Sequence, residues 1–369
     1  MTLNRYLDAW ILSMARTVSR YYLTNTRDMR FITGLVPALW QSAGIRKRYA
    51  ARGVHIPPFL IASITSQCNL HCAGCYAKAR ECPGITSPAE VQEETTLGTA
   101  EWRRIFQEAS DIGVSFVLLA GGEPLMRRDV LDLAASYPGM VFPTFTNATL
   151  IDASYIRFFD EHRNIIPVPS IEGSGEETDH RRGLGVSEKI LAVIREFQAR
   201  GILYGVSITV TSHNLRAVTS DTFVADLRKA GCGIVFYLEY VPAEKGTEDM
   251  VLCESDTVFL EERVQSLRAG YPDMILLSFP GDESVLGGCL AAGRGFFHIS
   301  SAGNAEPCPF SPYSRQNLRS CSILEVLQSP FFRDIREISM REAGMPHTGG
   351  CTLFSREEEV SKVQSSDDV

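Results

Sequence analysis

The sequence predicts an α/β protein. A partial (β/α)6 TIM-like barrel is preceded by a helical N-terminal extension and followed by a small α+β cysteine-rich C-terminal domain. Three observations predict it. Six strand-like runs alternate with helix-like segments between residues 59 and 241, the order that builds a parallel sheet. The polar motifs of that stretch stand at the carboxyl ends of the strands, the face on which barrels assemble their sites. After Pro242 the texture changes to a Gly- and Cys-rich sequence.

Residues 1–55 read as a basic helical extension, with Leu7, Trp10, Ile11, Met14, Val18, Tyr21 and Tyr22 on one helical face. Beyond that helix, Gly34, Pro37 and Gly44 break up the rest of the extension. The barrel is expected over residues 56–245. Its strands are FLIASIT (59–65), VSFVLLA (114–120), MVFPTFT (140–146), IIPVPSI (165–171), LYGVSITVT (203–211) and IVFYLEYV (234–241). Helix-like segments run from Ala100, Arg128, Ala153, Ser187 and Asp221. Residues 246–355 hold a helix from Asp256, a hairpin turning at Ala302-Gly303-Asn304, and a helix from Ile323. The acidic, Ser-rich residues 356–369 are expected to be a disordered tail.

Of 369 residues, 44% are apolar and 22% charged, as in an ordinary globular protein. A net charge of −8 excludes nucleic acid as the main partner. Residues 1–54 nevertheless carry +7, which leaves −15 on the remainder. The N-terminal helix is read as packing on the barrel, with contact to an anionic membrane surface as the second expectation. No apolar run reaches the length of a membrane span, and no secretory signal is evident. Ten cysteines without a secretory signal predict a reducing cytoplasm and metal-bound thiols rather than disulfides.

Cys68, Cys72 and Cys75 are spaced C-x3-C-x2-C in the loop after the first strand, and Tyr76 is the next residue. Three thiolates in one tight loop can hold three irons of a [4Fe–4S] cluster and leave the fourth open. A zinc knuckle borrowing His71 or Cys82 is the alternative reading, at an uncommon zinc spacing.

At these residues the sequence resembles the radical S-adenosylmethionine (radical SAM) superfamily. The resemblance implies that the methionyl amino and carboxylate groups of SAM chelate the open iron and that Tyr76 lies near the adenine. Gly121-Gly122-Glu123-Pro124, after the second strand, resembles the family's glycine-rich motif, whose backbone and Glu meet the methionyl ammonium. Asn147 comes after the third strand. Ser170-Ile171-Glu172-Gly173, then Asp179 and Arg182-Gly183, resembles a pattern of peptide-modifying members. There the Ser contacts the cofactor and the Arg pairs with its carboxylate. The usual acid in that pattern is Asp, and here it is Glu172.

The spacing of Cys289, Gly303 and Cys308 resembles the start of the auxiliary-cluster domain known as SPASM, or its shorter Twitch form. It implies one auxiliary [4Fe–4S] cluster, with Cys321 and Cys351 as the further ligands and Cys253 as a substitute for Cys321. Pro309 stands where sulfatase-maturing relatives carry an acid, which counts against that activity. The resemblance implies an enzyme that reductively cleaves SAM, supplied by a donor of ferredoxin or flavodoxin type. Its 5′-deoxyadenosyl radical would modify a peptide or protein. A small-molecule substrate is the alternative, and a non-enzymatic iron–sulfur electron carrier the remote one. Glu239 and Tyr240, ending the sixth strand, are weaker candidates for touching substrate.

Overall fold

The barrel wall is built from parallel strands, seven of them rather than the six expected. The computed structural model describes residues 11, 26–79, 96–283, 286–341 and 351–365. The strands are β1 (Phe59–Thr65), β2 (Phe116–Gly121), β3 (Phe142–Thr146), β4 (Ile165–Ile171), β5 (Gly205–Val210), β6 (Ile234–Glu239) and β7 (Ile275–Phe279). Each pairs in parallel with the next, and the sheet order is β7-β6-β5-β4-β3-β2-β1. On the far side of β1 lies a short hairpin, β8 (His298–Ile299) and β9 (Ala305–Glu306), with β8 parallel to β1 and β9 antiparallel to β8. The sheet does not close: β7 and β9 are its edges.

The strands bury both faces, which is why they read as continuous apolar runs. Val141, Ile166, Val168, Ile234, Phe236, Ile275 and Leu277 point into the barrel. Their alternate neighbours, such as Val117, Leu119, Val206 and Val235, pack outward under the helices. The helices start where local chemistry satisfies their first amides. Asp152 Oδ1 accepts from the amides of Ser154 and Tyr155 at 2.9 and 3.0 Å. Ser174 and Glu177 form a reciprocal capping box at the start of the helix Gly175–Arg182.

The barrel floor is filled by helix α1 (Thr26–Ala50), which runs unbroken through Gly34, Pro37 and Gly44. The expectation that these residues interrupt the chain is thus corrected. Ile32, Leu35 and Leu39 insert among the inner strand residues, and this burial outweighs the amide that Pro37 lacks. Arg46 fixes the helix against the wall, donating to Ser115 Oγ at 2.9 Å and Gly113 O at 2.5 Å. Of the helix expected over residues 6–22, only Ile11 lies within the described residues, and it is buried in the same inner cluster. Among the described residues no helix is long and apolar enough to cross a membrane.

The C-terminal region ends differently from expectation. Residues Glu357–Ser365 form a helix rather than a disordered tail. Val360 is fully buried, Arg341 pairs with Glu359, and Tyr313 Oη donates to Glu357. Val360, the partly buried Val363 and a few polar anchors hold a segment whose composition alone reads as disordered.

Candidate active site

The loop carrying Cys68, Cys72 and Cys75 crosses the carboxyl end of β1, with Cys68 exposed and the other two half-buried. None of the three is in a disulfide. Burial, and then the negative charge of Glu123, Cys72 and Cys75, push the Cys68 thiol up. Cys68 Sγ faces the amide of Leu70 at 3.5 Å and Asn147 Nδ2 at 3.9 Å.

The loop is held from beneath by the glycine-rich turn after β2. Gly122 N donates to Thr65 O at 2.8 Å and Glu123 N to Gln67 O at 2.7 Å. A Cβ on Gly122 would lie 1.9 Å from Gln67 O, and one on Gly121 (φ +116°) 2.2 Å from Thr65 O. Both positions therefore require glycine for backbone to lie on backbone. Pro124 opens a single turn of helix, Pro124–Met126, that Glu123 caps. Glu123 is buried and uses both oxygens within the protein. Oε1 accepts from Leu125 N and Thr146 Oγ1, and Oε2 from Asn147 N at 2.8 Å. The side chain expected to meet the cofactor's ammonium thus joins β2 to β3. Asn147 Nδ2 continues the link to the cysteine loop through Asn69 Oδ1 at 2.9 Å.

Three further elements clamp the same loop. Ala73 N donates to Arg181 O at 3.1 Å, from the helix after β4. Gly74 N donates to Glu244 Oε2 at 2.7 Å. The Tyr240 ring lies on Gly74, where an added Cβ would meet the phenol oxygen at 2.4 Å. Tyr240 is therefore a support of the loop. Tyr76 leans edge-on against Phe310 of the C-terminal region, 5.3 Å between centroids.

Arg182, expected to meet a cofactor carboxylate, is paired with Glu172. Arg182 Nε and Nη2 reach Glu172 Oε1 at 2.8 and 2.5 Å, and Arg181 Nη1 reaches it at 2.6 Å. Burial opposes the charge on Arg182, but Glu172, Cys72 and Cys75 outweigh it and raise its affinity for the proton. The second carboxylate oxygen of Glu172 is buried without a partner. Ser170 Oγ meets Ser207 Oγ at 2.8 Å across β4 and β5.

Glu239 turns away from this site. Phe236 and Leu238 take the inward positions of β6, so Glu239 points outward. It lies under Gly281, 4% exposed, with neither carboxylate oxygen hydrogen-bonded to a side chain. Burial, then the charges of Glu261 and Glu283, push its carboxyl up to about 8 from 4.5. The folded chain therefore holds a proton that the unfolded chain releases, and stability falls as pH rises from the ordinary carboxylate range towards 8. We expect Glu239→Gln to remove about 3–5 kcal/mol of that decline, measured by chemical denaturation at pH 5 and pH 8.

The second set of thiols gathers where the β8–β9 hairpin meets the C-terminal segment. Cys289, Cys308 and Cys351 are all buried. The Cys308 thiol donates to Cys351, which keeps Cys308 protonated and lowers Cys351. Glu283 accepts from the Cys289 thiol. The described contacts of Cys321 are with other groups. It is half-buried, faces Ser320 Oγ at 3.8 Å, and precedes a helix whose first amide, Ile323 N, binds Glu108 on the barrel exterior. Cys253 caps a helix at the exposed surface, beside Ser255 and Asp256. Cys82, Gly349 and Gly350 lie outside the described residues. The hairpin is fixed to the barrel by His298, fully buried between Glu306 (2.6 Å) and Ser63 (2.7 Å).

Among the described residues no three His, Cys, Asp or Glu side chains close on one point as a single ion's ligands do. Three thiols in one loop are instead the donor chemistry of an iron–sulfur cluster, and Cys68, Cys72 and Cys75 fit that group. Sequence reasoning missed Arg181, Glu244 and Glu283, because each acts on a partner 9 to 170 residues away or at a loop reversal.

Residues 62–230 match the Radical SAM superfamily, the family expected from the cysteine loop and the glycine-rich turn. The chain is 28% identical over 309 residues to the AdoMet-dependent heme synthase of Methanosarcina barkeri, covering 76% of this chain and 85% of that protein. It is 29% identical over 229 residues to the Fe-coproporphyrin III synthase of the same organism, covering 59% of this chain. The chain spans about half the length of that second relative, 55%. The fold is shared with SuiB of Streptococcus suis, solved bound to the precursor peptide SuiA. The TM-score is 0.62 at 19% identity, over 84% of this chain and 76% of that one.

Proposed function

We propose that the chain is a radical SAM enzyme that takes hydrogen from a carbon of a carboxylated tetrapyrrole. Cys68, Cys72 and Cys75 would hold three irons of a [4Fe–4S] cluster. When bound, that cluster supplies the electron that splits SAM into methionine and a 5′-deoxyadenosyl radical. The protein's part is to place and shield. Gly121, Gly122 and Glu123 fix the height of the cysteine loop. Asn147 orients its first turn, and the Glu172–Arg181–Arg182 set sets the charge beside Cys72 and Cys75. Ser170 and Ser207 offer hydroxyls on the inner face. Below them Phe145, Phe236, Leu238 and Phe279 form an apolar, aromatic interior that keeps water from a radical. Cys289, Cys308 and Cys351 would hold one auxiliary cluster.

The observation that carries the substrate class is the similarity to the heme synthase over 85% of that protein's length, and an aromatic-lined interior supports it. Peptide modification is the second reading, favoured by the spacing from Ser170 to Gly183. The test is anaerobic turnover of the reconstituted full chain with SAM and dithionite. A carboxylated porphyrin is expected to stimulate 5′-deoxyadenosine formation and to change in mass. Stimulation by a peptide, with none by the porphyrin, would overturn the tetrapyrrole assignment.

A further inference from the structure

We infer that the solvent face of α1 is a docking surface for an anionic phospholipid membrane, which holds the protein by its barrel floor. This attachment is independent of the substrate the site takes.

At about 100° per residue, Ile32, Leu35, Leu39 and Arg46 share one arc of α1, and all four are buried. Pro37, Trp40, Gln41, Lys47 and Arg48 occupy about 120° of the opposite side and are exposed. Trp40 is 59% exposed, and it is the one aromatic among the large exposed apolar side chains of the described residues. Arg52 extends the face just past the helix end and is exposed as well. Residues 29–53 contain no Asp or Glu. Among the described residues the side chains of Lys47, Arg48 and Arg52 form no ion pair.

The place of this face in the fold selects the partner. The helix passes under the amino ends of β2 and β3: Ala38 lies against Gly139 and Ile45 against Gly113, where an added Cβ would stand 3.4 and 3.1 Å away. The cysteine loop crosses the opposite, carboxyl end of β1, about 20 Å along the strand. A protein that delivers electrons must reach that opposite end, so electron delivery does not explain the patch. Basic residues in a last helical turn also complement the helix dipole, but that accounts for neither Trp40 nor Arg52. Trp beside Lys and Arg is the pairing of a membrane interface, with the indole at headgroup depth and the cations on lipid phosphates. Because residues 55–369 carry −15, an anionic surface attracts the acid-free floor and repels the rest of the chain. The barrel mouth then stays open to solvent.

The test is cosedimentation of the full chain with vesicles of phosphatidylcholine, and of phosphatidylcholine with one-third phosphatidylglycerol. Binding is expected to the mixed vesicles alone, and to weaken with added salt. It should shift the emission of Trp40 to the blue, read as the difference between the wild-type and Trp40→Phe spectra. Lys47→Glu/Arg48→Glu/Arg52→Glu should weaken binding at least about tenfold while leaving iron content and SAM cleavage unchanged. Equal binding to both kinds of vesicle, or binding to neither, overturns the inference. So does unchanged binding of the triple variant, which assigns the membrane contact to another segment. A Trp40 emission already blue-shifted without vesicles also overturns it, because the face would then be covered. Binding of polyglutamate in place of the vesicles overturns it in favour of an acidic protein. If charge reversal disturbs folding by circular dichroism, Lys47→Gln/Arg48→Gln/Arg52→Gln decides: binding should again fall, and unchanged binding overturns the inference.

Discussion

Changing Cys68, Cys72 and Cys75 together to Ala is expected to reduce 5′-deoxyadenosine formation to the uncatalysed background while leaving the fold intact. The two halves of that expectation have separate causes. Each sulfur would be the sole protein link to one iron, so nothing else in the loop can replace it. The loop's position, by contrast, is set by backbone hydrogen bonds from Gly122, Glu123, Ala73 and Gly74, none of which uses a thiol. Because Cys68 is exposed and its two neighbours half-buried, truncation opens no core cavity, and the stability change should stay within about 1 kcal/mol. Iron and sulfide content, product analysis and thermal denaturation of the same preparations check all three statements.

Gly122→Ala should do the converse, destroying the site with every ligand still present. The added Cβ would stand 1.9 Å from Gln67 O and 2.4 Å from Gln67 C, both backbone atoms that cannot rotate away. Relief requires the cysteine loop to lift from the β2 turn, which breaks the bonds from Gly122 N to Thr65 O and from Glu123 N to Gln67 O. Glu123 then loses its fixed relation to Asn147. A cost of about 3 kcal/mol or more is expected, with loss of the iron held at Cys68, Cys72 and Cys75. Denaturation midpoints and iron analysis in a Cys289→Ala/Cys308→Ala background read both effects. Full iron loading with an unchanged midpoint would show that the close backbone approach is not what seats the loop.

The barrel strands β1 to β6 were legible because parallel strands buried on both faces leave uninterrupted apolar runs between polar helices. Strand β7 was not, although residues 274–279 read Met-Ile-Leu-Leu-Ser-Phe. The change of texture at Pro242 suggested a domain boundary, and the last β/α repeat lies beyond it. Pro37 and Gly34 read as breaks, yet the barrel floor supplies enough apolar contact to carry a helix through them. The C-terminal helix was hidden for the same reason, since its composition is that of a tail and only Val360 and Val363 pack on the core.

The site divides along similar lines. Cys68, Cys72 and Cys75 declare themselves because their spacing is local. Gly121 and Gly122 were singled out as glycines that permit a close approach, and the structure lays both against the backbone at the cysteine loop. Glu123 and Arg182 were assigned to the cofactor, and both are engaged by protein partners that no local pattern reveals. Glu239 was decidable in principle. Alternation along β6 places it opposite Phe236 and Leu238, and a strand-end acid outside the barrel belongs to the packing layer.

The most direct test of the central claim is EPR of the reduced, anaerobically reconstituted chain in the Cys289→Ala/Cys308→Ala background, recorded with and without S-adenosylmethionine. Ligand binding at an open iron of the Cys68–Cys72–Cys75 cluster predicts a changed spectrum on addition. A four-iron signal that SAM leaves untouched, or protein without iron at that loop, would contradict it.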